Sequence, residues 1–336
     1  MLVNLLSFLL IFILCVVGCL IYVKVALKNR IISSPNFRSL HLNNALTGGG
    51  VVFSLVFVST VSYLWLTNDL SDDIFLVLGV GGFFASLVGF CDDLINIGAF
   101  KKLVLHSLLS VWTIYWLDIN LFSNIDWFLQ SFSIALSVLF LVWVINAYNF
   151  IDGIDGLAIS GVIFISGGLI LIMMLSNNYS ELTILYFSLL ACSIGFIIFN
   201  WPPARIFMGD SGSIFLGYII GALILLTIKR GEVTAWAWIV IFGYFISDTT
   251  VTQIMRLILV KKWYEAHRSH AYQNLARLSG SHLKVTTGIA LYHIIWLLPL
   301  LLWTIKQPDS SIFAAILAVL PAALISVKYG PLTSSS

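Results

Sequence analysis

Long apolar runs alternate with short polar breaks along the whole chain. This pattern predicts membrane-crossing helices, because a helix needs about 20 mostly apolar residues to span a bilayer. About eleven such spans are predicted, over residues 4–23, 49–66, 74–90, 103–118, 131–148, 157–176, 183–200, 213–228, 235–255, 284–304 and 311–328. The runs lack the strict alternation of a transmembrane β-barrel. The predicted fold is an all-α polytopic membrane protein, with a single integral-membrane domain over residues 1–336.

The composition agrees with this architecture. Of the 336 residues, 60% are hydrophobic and only 10% are charged, whereas soluble globular proteins carry about 25% charged residues. The run at 4–23 is longer than the apolar core of a cleavable signal peptide, which is roughly 7–15 residues, so we expect a span. Cys15, Cys19, Cys91 and Cys192 form no Cys-x-x-Cys pair, and we interpret them as helix-packing residues.

The basic residues are predicted to lie on one side of the bundle. When the breaks are numbered alternately, three of the 17 Lys and Arg residues (Lys229, Arg230 and Lys306) fall in one set and the other 14 in the second. The positive-inside rule assigns the second set to the cytoplasm. The amino terminus is therefore predicted to be periplasmic and the carboxyl terminus cytoplasmic.

Five loops on this predicted cytoplasmic face carry unusual polar clusters. They read "PNFRSLHLNNALTGGG", "CDD", "NAYNFIDGIDGLA", "NWPPARIFMGDSGS" and "KKWYEAHRSHAYQNLARLSGSH". We expect the loops that contain them to form one active site, because a single site needs its parts within reach of one another. These loops cover residues 24–48, 91–102, 149–156, 201–212 and 256–283.

Aspartates concentrate at or just past the ends of these spans. They are Asp92, Asp93, Asp152, Asp155 and Asp210. Carboxylates this close repel one another unless a cation lies among them. Hard oxygen ligands suit Mg²⁺, with Mn²⁺ as the alternative, and Mg²⁺ is usually held by one or two carboxylates plus substrate phosphates. Any one of these aspartates could be a helix cap or a solvated loop residue. That alternative explains less well why all five lie on one predicted face of the membrane.

The stretch "NAYNFIDGIDGLA" places amides and carboxylates together. Asn146, Asn149 and Asp152 are three residues apart, so they share one face of a helix. Gly153 and Gly156 disfavour a smooth continuation of the helix and allow close backbone approach. Amides, a carboxylate and glycines at a helix end are typical of a binding site for a metal-bound diphosphate. An Asx-rich turn is the alternative, but a turn has no need of Asn146, a full helical turn earlier.

Two further clusters suit anions. The segment "GDSGS" at 209–213 opens a predicted span, where it fits both an ordinary N-cap and an anion site at a helix start. His267, Arg268 and His270 indicate a phosphate-binding patch, with binding of anionic lipid as the alternative. Asp248 lies inside a predicted span, where a carboxylate is costly, and its role is open.

Together these motifs resemble the polyprenyl-phosphate N-acetylhexosamine-1-phosphate transferases, a superfamily of bacterial inner-membrane enzymes. The resemblance implies that undecaprenyl phosphate attacks the β-phosphorus of a UDP-N-acetylhexosamine on the cytoplasmic face. UMP and an undecaprenyl diphosphate-linked sugar would be the products. The resemblance also implies a role for each candidate residue. These roles are Mg²⁺ ligation by Asn149 and Asp210; catalysis by Asp92, Asp93, Asp152 and Asp155; and substrate binding by Arg38, His41, Asn146, His267, Arg268 and His270.

The segments "PNFRSLH" and "HRSHAYQ" resemble the branch that initiates O-antigen and related surface polysaccharides. Enzymes for peptidoglycan precursors, whose corresponding loop has a run of histidines, and for teichoic acids are the alternatives within the superfamily. "NALTGGG" lacks the Arg that this branch usually carries, and Asn96 stands where some relatives keep Lys or Asp. Lys101 and Arg38 are the candidates to replace those phosphate contacts.

Readings from other classes are less favoured. A lipid or solute transporter would place ionisable groups near the membrane midplane, where only Asp248 is found. A CDP-alcohol phosphotransferase would carry its acids on a single helix pair rather than on three separate breaks. The expected partners are the UDP-sugar, undecaprenyl phosphate and membrane lipids. No nucleic acid is expected, and a homodimer is left open.

Overall fold

The structure is a computed structural model that describes residues 2–29, 32–33, 45–119, 127–259 and 267–332. Helices dominate these residues, and two short strands, β1 (Ile32–Ser33) and β2 (Ala45–Leu46), pair antiparallel. The helices are α1 (Leu2–Lys28), α2 (Gly50–Leu66), α3 (Asp72–Ile95), α4 (Ala99–Trp116), α5 (Trp127–Ile151), α6 (Leu157–Ser176), α7 (Thr183–Asn200), α8 (Asp210–Lys229), α9 (Ala235–Ile241), α10 (Gly243–Leu259), α11 (Ala271–Ser279), α12 (His282–Lys306) and α13 (Ser311–Tyr329).

Eight helices in the described part of the chain are long and apolar enough to cross a membrane, so the chain is a multi-pass membrane protein. They are α1, α3, α5, α6, α7, α8, α12 and α13. The other three predicted spans also coincide with helices. These are α2, which has 17 residues, α4, and the pair α9 and α10, which is interrupted at Phe242. That all eleven runs cross the membrane, and in which orientation, stays a prediction.

Helix α8 forms the centre of the bundle. Its most apolar 18-residue window is 94% buried, and it packs chiefly against α3 and α5. Because α8 is enclosed, any residue at its first turn is surrounded by the ends of neighbouring helices. The polar residues at 209–213 therefore lie at the centre of the predicted active site.

A π-helical stretch in α3, Phe75–Gly81, is hydrogen-bonded to side chains of α4 and α8. Tyr218 of α8 donates its hydroxyl to the carbonyl of Val77 at 3.0 Å and accepts from Thr113 of α4 at 2.7 Å. Trp112 Nε1 of α4 donates to the Leu76 carbonyl at 2.9 Å. The wider turn of a π-helix frees carbonyls from the regular ladder. These bonds hold α3, α4 and α8 in fixed register below the site.

Candidate active site

Asp210 begins α8 and meets side chains from three other helices. Asn149 Nδ2, near the end of α5, donates to Asp210 Oδ1 at 3.1 Å and to Ser213 Oγ at 2.9 Å. Lys102 Nζ, at the start of α4, lies 3.2 Å from Asp210 Oδ2 and 2.9 Å from Asp92 Oδ2 of α3. Three predicted site residues, Asp92, Asn149 and Asp210, thus form one cluster around the Lys102 ammonium.

The neighbouring Asp93 performs a different task from Asp92. Its Oδ1 accepts the backbone N–H of Asp210 at 2.9 Å, and its Oδ2 accepts the N–H of Ser211 at 3.0 Å. Asp93 therefore caps the first turn of α8 from a different helix and satisfies N–H groups that have no partner within the helix. Gly209 precedes this turn with φ of 72°, a conformation that glycine adopts without strain.

Asp92 keeps one oxygen available. Its Oδ1 is buried and has no hydrogen-bond partner in the described ranges. A buried acceptor without a donor is costly unless a ligand satisfies it. Of the two adjacent carboxylates, Asp92 is therefore the one placed to meet a cation or a substrate.

Asp152 lies one turn after the end of the Asn146–Asn149 face. Burial raises the pKa of its carboxyl well above the ordinary value, and the negative charges of Asp210, Asp93 and Asp155 raise the pKa further. Among the described residues no hydrogen-bond partner of this carboxylate is found. The negative charges of three other predicted site aspartates thus act on Asp152.

Asp155 connects two segments below this cluster. Its Oδ2 accepts the backbone N–H of Ala204 at 3.0 Å, and its Oδ1 lies 3.4 Å from His282 Nδ1. Its backbone carbonyl accepts the hydroxyl of Thr286 at 2.7 Å. Asp155 thus holds the loop that follows α7 against the start of α12. In this geometry it supports the site and does not join the cluster around Lys102.

The histidine loop lies against the end of α5. The rings of His267 and His270 stack with centroids 5.1 Å apart, and the Phe150 ring is 5.8 Å from His270. The Tyr272 hydroxyl donates to the Phe150 carbonyl at 2.6 Å. Phe150 is the residue after Asn149, so these contacts bring the loop beside the predicted metal ligand.

The two histidines are neutral in this arrangement. Burial lowers the pKa of His267 to about 3, and the proximity of His270 and Arg256 acts in the same direction. Burial, followed by Arg256, lowers the pKa of His270 to about 3. A neutral imidazole still donates one hydrogen bond and accepts another. The positive charge of the predicted phosphate patch is therefore carried by its arginines.

Asp248, whose role the sequence left open, positions the histidine loop. Its Oδ1 accepts the Ala271 N–H at 2.9 Å and the hydroxyl of Ser326, on α13, at 3.4 Å. His270 Nδ1 is 3.9 Å from the same oxygen. Asp248 caps α11 from α10, as Asp93 caps α8 from α3. The carboxylate is fully buried and ties three helices together.

The remaining predicted residues are less closely tied to the cluster. Asn146 donates to the Val142 carbonyl of its own helix at 2.7 Å. Arg277 Nη2 donates a hydrogen bond to the backbone carbonyl of Arg268 at 2.8 Å. The Arg268 side chain is partly exposed. Arg38 and His41 lie outside the described residues, so their predicted contacts stay predictions.

Three side chains at the site were given no individual role in the sequence analysis. Lys102 forms ion pairs with Asp92 and Asp210, whereas Lys101, the predicted candidate for a phosphate contact, is exposed. Ser213 binds Asn149 from the first turn of α8. His106 is buried one turn after Lys102, and its ring nitrogens have no hydrogen-bond partner in the part of the chain described. Adjacent lysines look alike in sequence, and only the packing of α4 distinguishes them.

The donor set fits a cation that arrives with phosphate. Among the described residues, no three His, Cys, Asp or Glu side chains are grouped closely enough to hold a metal ion. The carboxylates of Asp92 and Asp210 and the amide of Asn149 do come together. Mg²⁺ usually takes one or two carboxylates and completes its shell with water and substrate phosphates. The residues present therefore suit Mg²⁺ bound together with a diphosphate.

Comparison with known proteins gives a consistent result. The family model described as "Glycosyl transferase family 4" matches residues 75–228. A "Probable undecaprenyl-phosphate N-acetylglucosaminyl 1-phosphate transferase" from Bacillus subtilis is 30% identical over 270 residues. This alignment covers 77% of the chain and 73% of that relative.

Two other relatives carry the name "Phospho-N-acetylmuramoyl-pentapeptide-transferase". The protein from Petrotoga mobilis is 33% identical over 197 residues, covering 53% of this chain and 60% of its own length. The protein from Buchnera aphidicola is 29% identical over 315 residues, covering 80% and 87%. The residues matched by the family model, 75–228, include Asp92, Lys102, Asn149 and Asp210, which meet around the start of α8.

Proposed function

Because the chain belongs to glycosyl transferase family 4, within the polyprenyl-phosphate N-acetylhexosamine-1-phosphate transferase superfamily, we propose that it transfers a sugar-1-phosphate from a UDP-N-acetylhexosamine to undecaprenyl phosphate. An oxygen of the lipid phosphate bonds to the β-phosphorus of the nucleotide sugar, and the bond between that phosphorus and the bridging oxygen breaks. UMP leaves with the bridging oxygen. The lipid product is an undecaprenyl diphosphate-linked sugar.

The observation that carries this proposal is the meeting of Asp92, Lys102, Asn149 and Asp210 at the ends of four helices. Asn149 and Asp210 would hold Mg²⁺, which neutralises charge on the diphosphate when bound. Lys102 brings a second positive charge within reach of the same place. Transfer between two phosphates requires both reactants to be held in line with their repulsion screened.

Asp92 is the proposed acceptor of the proton that the lipid phosphate still carries. A phosphate monoester has a second pKa of about 6, so little base strength is required at neutral pH. The buried Oδ1 of Asp92 is available, whereas both oxygens of Asp93 accept backbone N–H groups. We therefore assign the base role to Asp92 and a positioning role to Asp93.

The histidine loop is proposed to hold the phosphates of the UDP-sugar. Neutral His267 and His270 can donate hydrogen bonds to phosphate oxygens, and Arg268 supplies charge. The contact with Phe150 fixes these rings beside the proposed Mg²⁺ ligands. The nucleotide would thus lie between α11 and the end of α5.

The proposed donor sugar belongs to the N-acetylhexosamine group. The relative named for N-acetylglucosaminyl 1-phosphate transfer makes UDP-N-acetylglucosamine the first donor to test. The relatives named for phospho-N-acetylmuramoyl-pentapeptide make a peptidoglycan precursor the second candidate. The loop sequence His267-Arg268-Ser269-His270 has no run of histidines, which favours the surface-polysaccharide branch. We place the reaction on the cytoplasmic face of the bacterial inner membrane, as the first membrane step of O-antigen or related polysaccharide synthesis.

Release of UMP tests the proposal. Purified protein with Mg²⁺, undecaprenyl phosphate and a panel of UDP-N-acetylhexosamines should release UMP and form a lipid diphosphate-linked sugar. Omitting the lipid phosphate or adding EDTA should abolish the release. The proposed reaction would be contradicted if protein that is folded and monodisperse in detergent released no UMP with any donor, UDP-N-acetylmuramoyl-pentapeptide included.

A further inference from the structure

Helix α11 follows the histidine loop directly and has only nine residues. An isolated helix of this length is marginal in water, so contacts with other elements decide where α11 lies. One contact is with the site. The Tyr272 hydroxyl donates to the Phe150 carbonyl at 2.6 Å, and a Cβ atom on Gly153 would come within 2.2 Å of that hydroxyl. Through Tyr272, α11 thus packs closely against the end of α5 and the glycine that follows it.

Asn274 attaches α11 to a second element, the carboxyl end of α13. The Asn274 side chain is buried, and its Nδ2 donates to the backbone carbonyls of Tyr329 at 2.5 Å and of Gly330 at 2.9 Å. The last carbonyls of a helix have no partner within the helix, and burying them without a donor is costly. Asn274 therefore caps α13 from α11.

The same side chain continues the connection toward the histidine loop. Asn274 Oδ1 accepts a hydrogen bond from Nη2 of Arg277, which lies one turn later on α11. This Nη2 also donates to the backbone carbonyl of Arg268 at 2.8 Å. Arg268 is the residue proposed to supply charge to the phosphates of the UDP-sugar. A chain of hydrogen bonds thus runs from the end of α13 to the backbone of Arg268.

The end of α13 also lies directly beside the histidine loop. A Cβ atom on Gly330 would lie 3.8 Å from the Ser269 carbonyl oxygen and 2.2 Å from that of Ser326. Ser326 in turn donates to Asp248, which caps the first turn of α11. The histidine loop and α11 are therefore connected to α13 at two points, through Asp248 at the start of α11 and through Asn274 in its middle.

We infer that Asn274 and Arg277 are positioning residues for the nucleotide sugar, through which the end of α13 holds Arg268 in place. This inference rests on the proposed function. Without the connection, the histidine loop would have more conformations to lose when the UDP-sugar binds, which weakens binding. The cluster around Lys102 would be unaffected. The competing explanation is that Asn274 only stabilises the fold.

Separate kinetic constants for the two substrates distinguish these explanations. Asn274→Ala should raise KM for the UDP-sugar about fivefold, the effect of losing one typical hydrogen bond. Both kcat and KM for undecaprenyl phosphate should change by less than about twofold. Tyr292→Phe is the matched control, because the Tyr292 hydroxyl also donates to a backbone carbonyl of α13, that of Ala318, at 2.6 Å. It should lower the unfolding temperature similarly and leave both KM values unchanged.

Asn274→Asp tests the part played by α13. A carboxylate can still accept from Arg277, but it cannot donate to the carbonyls of Tyr329 and Gly330 and repels them. This variant should therefore raise KM for the UDP-sugar as much as Asn274→Ala does. An unchanged KM in Asn274→Asp would overturn the inference. Equal increases of KM for both substrates in Asn274→Ala, or the same increase in Tyr292→Phe, would also overturn it.

Hydrogen exchange tests the connection without substrate or turnover. Backbone amides of residues 267–279 should exchange faster in Asn274→Ala than in the unaltered protein, while those of α8 should exchange at an unchanged rate. Tyr292→Phe should leave the exchange of residues 267–279 as it is. Unchanged exchange of this segment in Asn274→Ala would overturn the inference. Because the measurement needs no UDP-sugar, its outcome is separate from a failure of the proposed reaction.

Discussion

The side chains of Asn149 and Asp210 are 61 residues apart in sequence and meet through a hydrogen bond of 3.1 Å. This contact joins the end of α5 to the start of α8. It places an amide and a carboxylate where both can contribute oxygen to one cation. The other features of the site, from the Lys102 ammonium to the histidine loop, are arranged around this pair.

Lys102 should matter far more than its neighbour Lys101. Lys102→Gln removes the ammonium shared by Asp92 and Asp210, so we expect a loss of kcat/KM of about a hundredfold, in line with the removal of one charge-stabilising donor. Lys101→Gln, at an exposed position of the same helix, should retain activity close to that of the unaltered protein. The comparison uses UMP release at saturating UDP-sugar. Equal losses in the two variants would contradict the assignment of Lys102.

Substitutions of the adjacent aspartates Asp92 and Asp93 should have different effects, the first on catalysis and the second on stability. Asp92→Asn should lower kcat strongly and lower the unfolding temperature in detergent less than Asp93→Asn does, because Asp92 Oδ1 has no hydrogen-bond partner among the described residues and an amide oxygen can still accept from Lys102. Asp93→Asn places an amide N–H₂ against a backbone N–H of α8. We expect it to destabilise the protein by about 1 kcal/mol, the typical worth of a helix cap. A lower unfolding temperature for Asp92→Asn than for Asp93→Asn would reverse these assignments.

How far the sequence alone predicts this site differs from residue to residue. The spacing of Asn149 and the placement of Asp210 at a helix start follow from local pattern. Ten of the eleven apolar runs coincide with one helix each, and the run 235–255 coincides with the pair α9 and α10. The caps made by Asp93 and Asp248 depend on which helix packs beside which N-terminus, and no local pattern encodes that. The choice between Lys101 and Lys102 depends on the rotation of α4. Long-range packing, and not local propensity, decides such contacts.

Asp248 should affect binding of the nucleotide sugar more than that of the lipid. Asp248→Ala leaves the Ala271 N–H of α11 without its cap and releases the link to Ser326 on α13. The histidine loop should then be held less firmly, which raises KM for the UDP-sugar severalfold. Separate KM values for the two substrates give the test. A selective increase in KM for undecaprenyl phosphate would contradict the positioning role.

His270 should make the protein less stable as the pH falls below 6.5. Its folded pKa, at about 3, is below the ordinary value of 6.5, so the unfolded chain binds a proton that the folded protein does not. Above pH 6.5 both states are neutral and His270 makes no difference. Below it, the free energy of unfolding should fall by about 1.4 kcal/mol per pH unit until the folded pKa is reached.

This pH effect can be assigned by substitution. The charged and titratable groups that face His270 are Asp248, Arg256, His267 and Tyr272. His270→Gln keeps hydrogen-bonding capacity and removes the titration, so its unfolding temperature should decline less between pH 6.5 and 5. The same decline in both proteins would place the effect on other groups.

Cation binding by the Asn149–Asp210 pair is the central claim, and Mn²⁺ provides a direct probe of it. Electron paramagnetic resonance should follow Mn²⁺ titrations of purified protein with and without UDP-N-acetylglucosamine, with Asp309→Asn, at an exposed position, as the control. We predict one Mn²⁺ site whose affinity increases when the nucleotide sugar is present, and loss of that site in Asp210→Asn but not in Asp309→Asn. Unchanged Mn²⁺ affinity in Asp210→Asn, with and without the UDP-sugar, would contradict the account.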